Sequence, residues 1–170
     1  MSGTPGTTKA EPSLLGIYLN DHLAGATGGI ELVRRSAGAH RGSPAGATLQ
    51  RMAREIEQDR DSLLEMMAAL EVPVRHYKVY SAWVAEKVGR LKLNGHLLDR
   101  SPLSSLLELE ALRLGVEGKA SLWRTLGEVA LREPRLNAVR LDDLLQRATE
   151  QVKTLEGMRI ETSKEIFGAP

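Results

Sequence analysis

Hydrophobic residues recur along this chain at the spacing of an α-helix, and no stretch alternates with the period of a β-strand. The pattern is strongest between Ser101 and Leu131, where one side of the predicted helix carries leucine, valine, alanine and tryptophan. This first row consists of Leu106, Leu109, Leu112, Val116, Ala120, Trp123 and Leu126. A second row lies opposite, at Leu103, Leu107, Ala111, Leu114, Gly118 and Leu122. A helix that is apolar on two sides needs neighbours on both, which predicts a central place in a helical bundle.

Four further segments show the same periodicity. The predicted helices run from about Ser13 to Arg35, from Gly46 to Glu71, from Val74 to Leu93, and from a start between Ala138 and Leu141 to about Lys164. Residues 37–45 are predicted to form a loop from their glycine, serine and proline content. Residues 1–12 are predicted to be a disordered tail, which leaves residues 13–166 as a single helical domain.

The first predicted helix contains an unusual number of glycines, at Gly16, Gly25, Gly28 and Gly29. A glycine inside a helix costs about 1 kcal/mol relative to alanine. We therefore predict that a neighbouring helix lies very close to these positions. The alternatives are a kink in this helix, or a pocket between helices that holds a small apolar ligand.

The composition excludes several classes of function. A chain without cysteine has no disulfide, thiolate metal site or cysteine nucleophile, which fits a reducing cytoplasm. A formal net charge of +1 produces no field that would attract nucleic acid or an anionic membrane. No apolar run approaches the roughly 20 residues that span a bilayer. We expect a cytoplasmic protein that binds neither nucleic acid nor membranes.

The order of the predicted helices resembles that of the ferritin-like superfamily. The first two helices form one hairpin and the last two form another. The helix predicted at 74–93 is about 30 Å long at 1.5 Å per residue, so it can cross between the hairpins. The resemblance implies an all-α, four-helix ferritin-like bundle with an additional helical crossover between the two hairpins.

The di-iron ligands of that superfamily are not found in this sequence. Ferritin-like di-iron proteins place a Glu-x-x-His pair on each of two helices. Here Glu55 is followed by Gln58, and Glu150 is followed by Lys153. The histidines, at His22, His40, His76 and His96, all fall outside these positions. The oxidase and iron-storage chemistry of the superfamily is therefore not predicted.

Polar residues on predicted apolar faces are the remaining candidates for a site. Five of them combine into a carboxylate-rich metal site: Asp21, His22, Glu55, Asp59 and Glu108. Oxygen ligands with one imidazole suit iron or manganese better than zinc. Alternatively, these carboxylates pair with inward-facing cations such as Lys119 and Arg159 and hold the helices in register. We favour the ion pairs, because metal sites usually gather carboxylates in excess of cations.

These observations favour a protein that is not an enzyme and has no cofactor. The predicted function is an interaction or structural role, as a homo-oligomer or with a protein partner. The alternative is an iron- or manganese-binding protein with an altered ligand set.

Overall fold

The computed structural model describes residues 13–75 and 102–168, with the backbone alone for Pro102. Four helices occupy these ranges: α1 (Leu14–Ala39), α2 (Pro44–Ala69), α3 (Pro102–Ala130) and α4 (Ala138–Phe167). The described ranges contain no β-strand, so the predicted all-α class is confirmed there. The helix predicted at 74–93 is wrong at its start, because Val74 and Arg75 are not helical, and its remainder lies outside the described residues.

The turn between α1 and α2 is shorter than predicted. α1 continues past Arg35 to Ala39, so the predicted loop at 37–45 is wrong at both ends. Gly42 turns the chain with a φ of 83°, a left-handed conformation that glycine adopts without strain. The Ser43 hydroxyl then accepts a hydrogen bond from the Gly46 amide at 3.1 Å and caps α2. A serine cap followed by proline therefore starts α2 two residues earlier than predicted.

The helices form two hairpins that pack on each other, and side-chain contacts establish their directions. α1 packs against α2, α3 packs against α4, and α1 also packs against α3. Ser36, near the end of α1, contacts Glu108, near the start of α3. Tyr18, near the start of α1, contacts Thr125, near the end of α3. Helices α1 and α3 are therefore antiparallel. Because α2 is antiparallel to α1, α2 and α3 run in the same direction.

The first apolar row of α3 is the centre of the core, as predicted. All seven of its side chains are buried, from Leu106 to Leu126. The second row differs from the prediction, because Leu103 and Leu114 are 39% and 68% exposed whereas Leu122 is buried. α3 therefore has described neighbours along only part of its second side. None of the described helices carries an apolar stretch sufficient to cross a lipid bilayer.

Candidate functional site

Asp59 lies at the junction of α2, α3 and α4, and its side chain is 1% exposed. The Lys119 ammonium of α3 donates a hydrogen bond to one carboxylate oxygen. The Arg147 guanidinium of α4 lies 2.7 Å from the other oxygen. Lys119 also donates to the Gln151 amide oxygen at 2.5 Å, and Gln151 donates in turn to Glu55 at 2.8 Å. This cluster joins three helices through paired charges.

The protonation of Lys119 reflects two opposing effects. Burial lowers the pKa of its ammonium group, because an apolar surrounding disfavours the charged form. The neighbouring Asp59 carboxylate acts in the opposite direction, by its charge and by its hydrogen bond. The pairing predicted between inward carboxylates and inward cations is therefore confirmed at Asp59 and Lys119.

Glu108 takes part in a separate cluster between α1 and α3. One of its oxygens lies 3.0 Å from the Arg35 guanidinium, and the other accepts a hydrogen bond from the Ser36 hydroxyl at 2.7 Å. Arg159, the other predicted inward cation, belongs to α4, and its side chain is 29% exposed. It pairs with Glu156 of its own helix at 2.7 Å. These contacts leave Asp59 and Glu108 in different ion-pair clusters.

Asp21 does not face the core, contrary to the prediction, and its side chain is exposed. Leu14 and Ile17, which share its side of α1, are also exposed, at 86% and 42%. The buried side of α1 instead carries Gly16, Leu19, Asn20, Ile30 and Val33. Because Leu14 and Ile17 are apolar, their side of α1 was wrongly predicted to face the core.

The proposed metal ligands do not come together as a metal-binding group. The described residues contain no group of three or more histidine, aspartate or glutamate side chains able to hold a metal ion. Asp59 and Glu108 are each bonded to cations from other helices. Asp21, His22 and Asp59 line a common cavity, whereas Glu55 and Glu108 do not.

That cavity lies between α1, α2 and α3 and has a volume of about 440 Å³. Its apolar wall consists of Leu32, Ile56, Leu63, Leu112, Val116 and Leu122. Small residues complete it, at Gly25, Ala26, Gly29, Ala111, Gly115 and Gly118. Polar side chains line the rest, from Tyr18, Asp21, His22, Asp59, Arg60 and Lys119. An apolar cavity with a few convergent polar groups is typical of small-molecule sites.

Four glycines belong to the wall of the cavity, and two of them, Gly25 and Gly115, are exposed. Within the described residues, a methyl group added at Gly25, Gly29, Gly115 or Gly118 would meet no heavy atom within 4 Å. The prediction that a helix lies close against the glycines of α1 is therefore wrong for Gly25 and Gly29 within the described residues. At Gly16 an added methyl group would lie 3.0 Å from the Ser13 hydroxyl and in ordinary contact, at 3.6 Å, with Val72, which follows α2.

A second depression lies between α2 and α4 and has a volume of about 370 Å³. Charged side chains dominate its lining, including Arg51, Glu55, Asp143, Arg147 and Glu150. These groups solvate one another and leave little apolar surface for a ligand to cover. We therefore take the cavity between α1, α2 and α3 as the candidate site.

Sequence reasoning missed two polar residues that matter here. Arg147 reaches Asp59 from a position that its helical pattern assigns to the surface, because a long side chain can place its charge far from its backbone. Asn20 is 4% exposed and holds the chain beyond α2. Its amide nitrogen donates to the Pro73 carbonyl at 3.1 Å, and its amide oxygen accepts from the Arg75 amide at 2.7 Å.

Comparison with known proteins gives no relative from which a function could be transferred. No protein-family model, no curated protein and no solved structure matches this chain.

Proposed function

We propose that this chain is a non-enzymatic helical protein that binds a small, mainly apolar molecule in the cavity between α1, α2 and α3. The observation that carries the proposal is the apolar wall that side chains of three helices form around this space, at Leu32, Ile56, Leu63, Leu112, Val116 and Leu122. A pocket of about 440 Å³ with a mainly apolar lining is in the size range of small-molecule sites. Any interaction with a protein partner remains a prediction.

The glycines also have an energetic cost that a purely structural role does not explain. Each glycine in a helix interior destabilises it by about 1 kcal/mol relative to alanine. Alanine at these four positions would gain that amount without a clash with the described part of the chain, since none of its heavy atoms lies within 4 Å of the added methyl groups. A ligand that occupies the space gives the glycines a function.

We further propose that the four described helices have the arrangement of a ferritin-like bundle. Two antiparallel hairpins pack together with α2 and α3 parallel, which is consistent with that arrangement. The end of α2 and the start of α3 are then at opposite ends of the bundle. The proposal concerns the architecture and does not extend to di-iron chemistry.

Binding of naphthalene to the full chain tests the proposed function. At a free concentration 100 times its dissociation constant, a ligand stabilises the folded state by about 2.7 kcal/mol. For a domain of this size we expect a rise of roughly 5–10 °C in melting temperature. A fluorescence titration should give one saturable site per chain.

A matched pair of variants locates that site. Gly118→Leu places a side chain in the cavity and should weaken naphthalene binding at least about tenfold, which corresponds to about 1.4 kcal/mol. Gly157→Leu is the control, because Gly157 lies on the exposed side of α4 and also has open space around it. The absence of a saturable site, or equal weakening by both variants, would contradict the proposal.

A further inference from the structure

The polar groups of the cavity indicate which chemical class of ligand it binds. This inference rests on the proposed function. Most of these groups already have partners. The Tyr18 hydroxyl donates to Thr125 at 3.2 Å, and Arg60 pairs with Asp61 at 3.0 Å. Lys119 and Asp59 are bonded to each other. Each of these side chains has a described partner without a ligand.

His22 differs from them. The structure gives it no hydrogen bond with any other residue in the ranges 13–75 and 102–168. Its ring is half-buried and packs edge-on against the Tyr18 ring, with 4.5 Å between the ring centres. That contact orients the imidazole in the cavity wall and leaves both ring nitrogens without a described partner.

The protonation of His22 determines what it can offer to a ligand. Burial lowers the pKa of the imidazole below its usual 6.5, and the smaller effect of Asp21 acts in the opposite direction. The ring is therefore neutral at pH 7, with one nitrogen that donates and one that accepts a hydrogen bond. A neutral imidazole suits an uncharged oxygen group.

The charges around the cavity also favour an uncharged ligand. Its lining contains two carboxylates, Asp21 and Asp59, and two cations, Arg60 and Lys119. Their formal charges cancel. A ligand carboxylate would bring a second negative charge toward Asp59, and a ligand amine would bring a second positive charge toward Lys119. Either charge would also lose its hydration in an apolar space.

We infer that the ligand is an uncharged, mainly apolar molecule with one hydroxyl or carbonyl oxygen, which hydrogen-bonds to His22. At the roughly 30 Å³ that a water molecule occupies in the liquid, the cavity has room for about fifteen non-hydrogen atoms. The site therefore selects a small alcohol, phenol or ketone over a hydrocarbon or a carboxylate of similar size.

Titrations with naphthalene, naphthol, acetonaphthone and naphthoate test this inference at pH 7. We expect naphthol or acetonaphthone to bind about tenfold more tightly than naphthalene, and naphthoate to bind more weakly than both oxygen compounds. The hydroxyl and the carbonyl compound distinguish the two oxygen groups. Naphthalene binding reports on the proposed function separately, because the hydrocarbon requires the cavity alone.

Two substitutions at His22 complete the test. His22→Leu should remove the advantage of the oxygen compounds, measured as the ratio of their dissociation constants to that of naphthalene in the same variant. His22→Gln keeps a donor and an acceptor and should restore part of the advantage. Naphthalene binding without any preference for the oxygen compounds, or tighter binding of naphthoate, would overturn the inference while leaving the cavity as a ligand site.

Discussion

Two cations from different helices contact the buried Asp59 carboxylate. Lys119 and Arg147 contact its two oxygens, and the aspartate itself is 1% exposed. Removing one member of a buried pair leaves the others without compensation, whereas replacing the pair by apolar groups of similar size is often tolerated. The relative axial positions of α2, α3 and α4 therefore depend on the ion pairs of this cluster.

Asp59→Asn should lower the free energy of unfolding by about 3 kcal/mol, because Lys119 loses its buried counterion. Urea denaturation measures this change. Asp61→Asn is the control, since the Asp61 side chain is 59% exposed and its loss should change stability by less than about 0.5 kcal/mol. The double variant Asp59→Leu/Lys119→Met should recover most of the lost stability. Equal losses in the single and double variants would contradict the proposed role of the pair.

His22 should make the stability depend on pH in the mildly acidic range. Its pKa is lowered in the folded protein by burial, so the unfolded chain binds more protons between that pKa and about 6.5. The free energy of unfolding should therefore fall as the pH decreases from 7 through the folded pKa. Urea denaturation at pH 7 and pH 5 should show a smaller decrease for His22→Gln than for the unmodified chain. An equal decrease in both would show that His22 does not contribute.

At the scale of single elements, polar caps decide where the helices begin. Ser13, Ser43 and Asn137 each accept a hydrogen bond from the backbone amide three residues ahead. Such a cap satisfies an amide that has no partner within the helix. The start of α2 was predicted too late because the cap at Ser43 lies inside a segment whose composition is typical of a loop.

Asn137→Ala should destabilise the protein by about 1 kcal/mol, because the Arg140 amide loses its acceptor at 3.1 Å. Asn137→Asp keeps an acceptor oxygen and should change stability by only a few tenths of that amount. Urea denaturation should show a lower midpoint for the alanine variant with an unchanged slope. A loss of equal size in the aspartate variant would indicate that the cap is not the cause.

At the scale of the whole molecule, the parallel relation of α2 and α3 is the feature that ferritin-like bundles share. The end of α2 and the start of α3 should lie about 35–40 Å apart, since α2 is 26 residues long and rises 1.5 Å per residue. The end of α1 should lie near the start of α3, because Ser36 contacts Glu108. The distance from the end of α2 to the start of α3 should therefore be much longer than the distance from the end of α1 to the start of α3.

Spin labels can measure both distances, since the chain contains no native cysteine. The pair Ala68→Cys/Leu103→Cys should give a distance of about 35–40 Å between the backbone positions. The control pair Gly38→Cys/Leu103→Cys should give a distance less than half as long. A short distance for the first pair would place α2 and α3 antiparallel and would contradict the ferritin-like arrangement.

The helical class and most of the central helix were predictable from the sequence by itself. The apolar row from Leu106 to Leu126 repeats at the helical period and is buried throughout. Asp59 and Glu108 were recognised as inward-facing polar residues for the same reason, because each interrupts an apolar row. Periodicity is a local property of the chain, so it predicts which side of a long helix is apolar.

Only the tertiary structure determined which helices are joined by ion pairs and where a cavity remains between them. Asp59 meets Lys119 and Arg147 because α2, α3 and α4 have a particular rotation and height, which local periodicity does not determine. The glycines of α1 were predicted to lie close to a neighbouring helix, with a kink or a pocket as the alternatives. The difference depends on the distance between backbones that are far apart in sequence, and that distance is set by the packing of all three helices together.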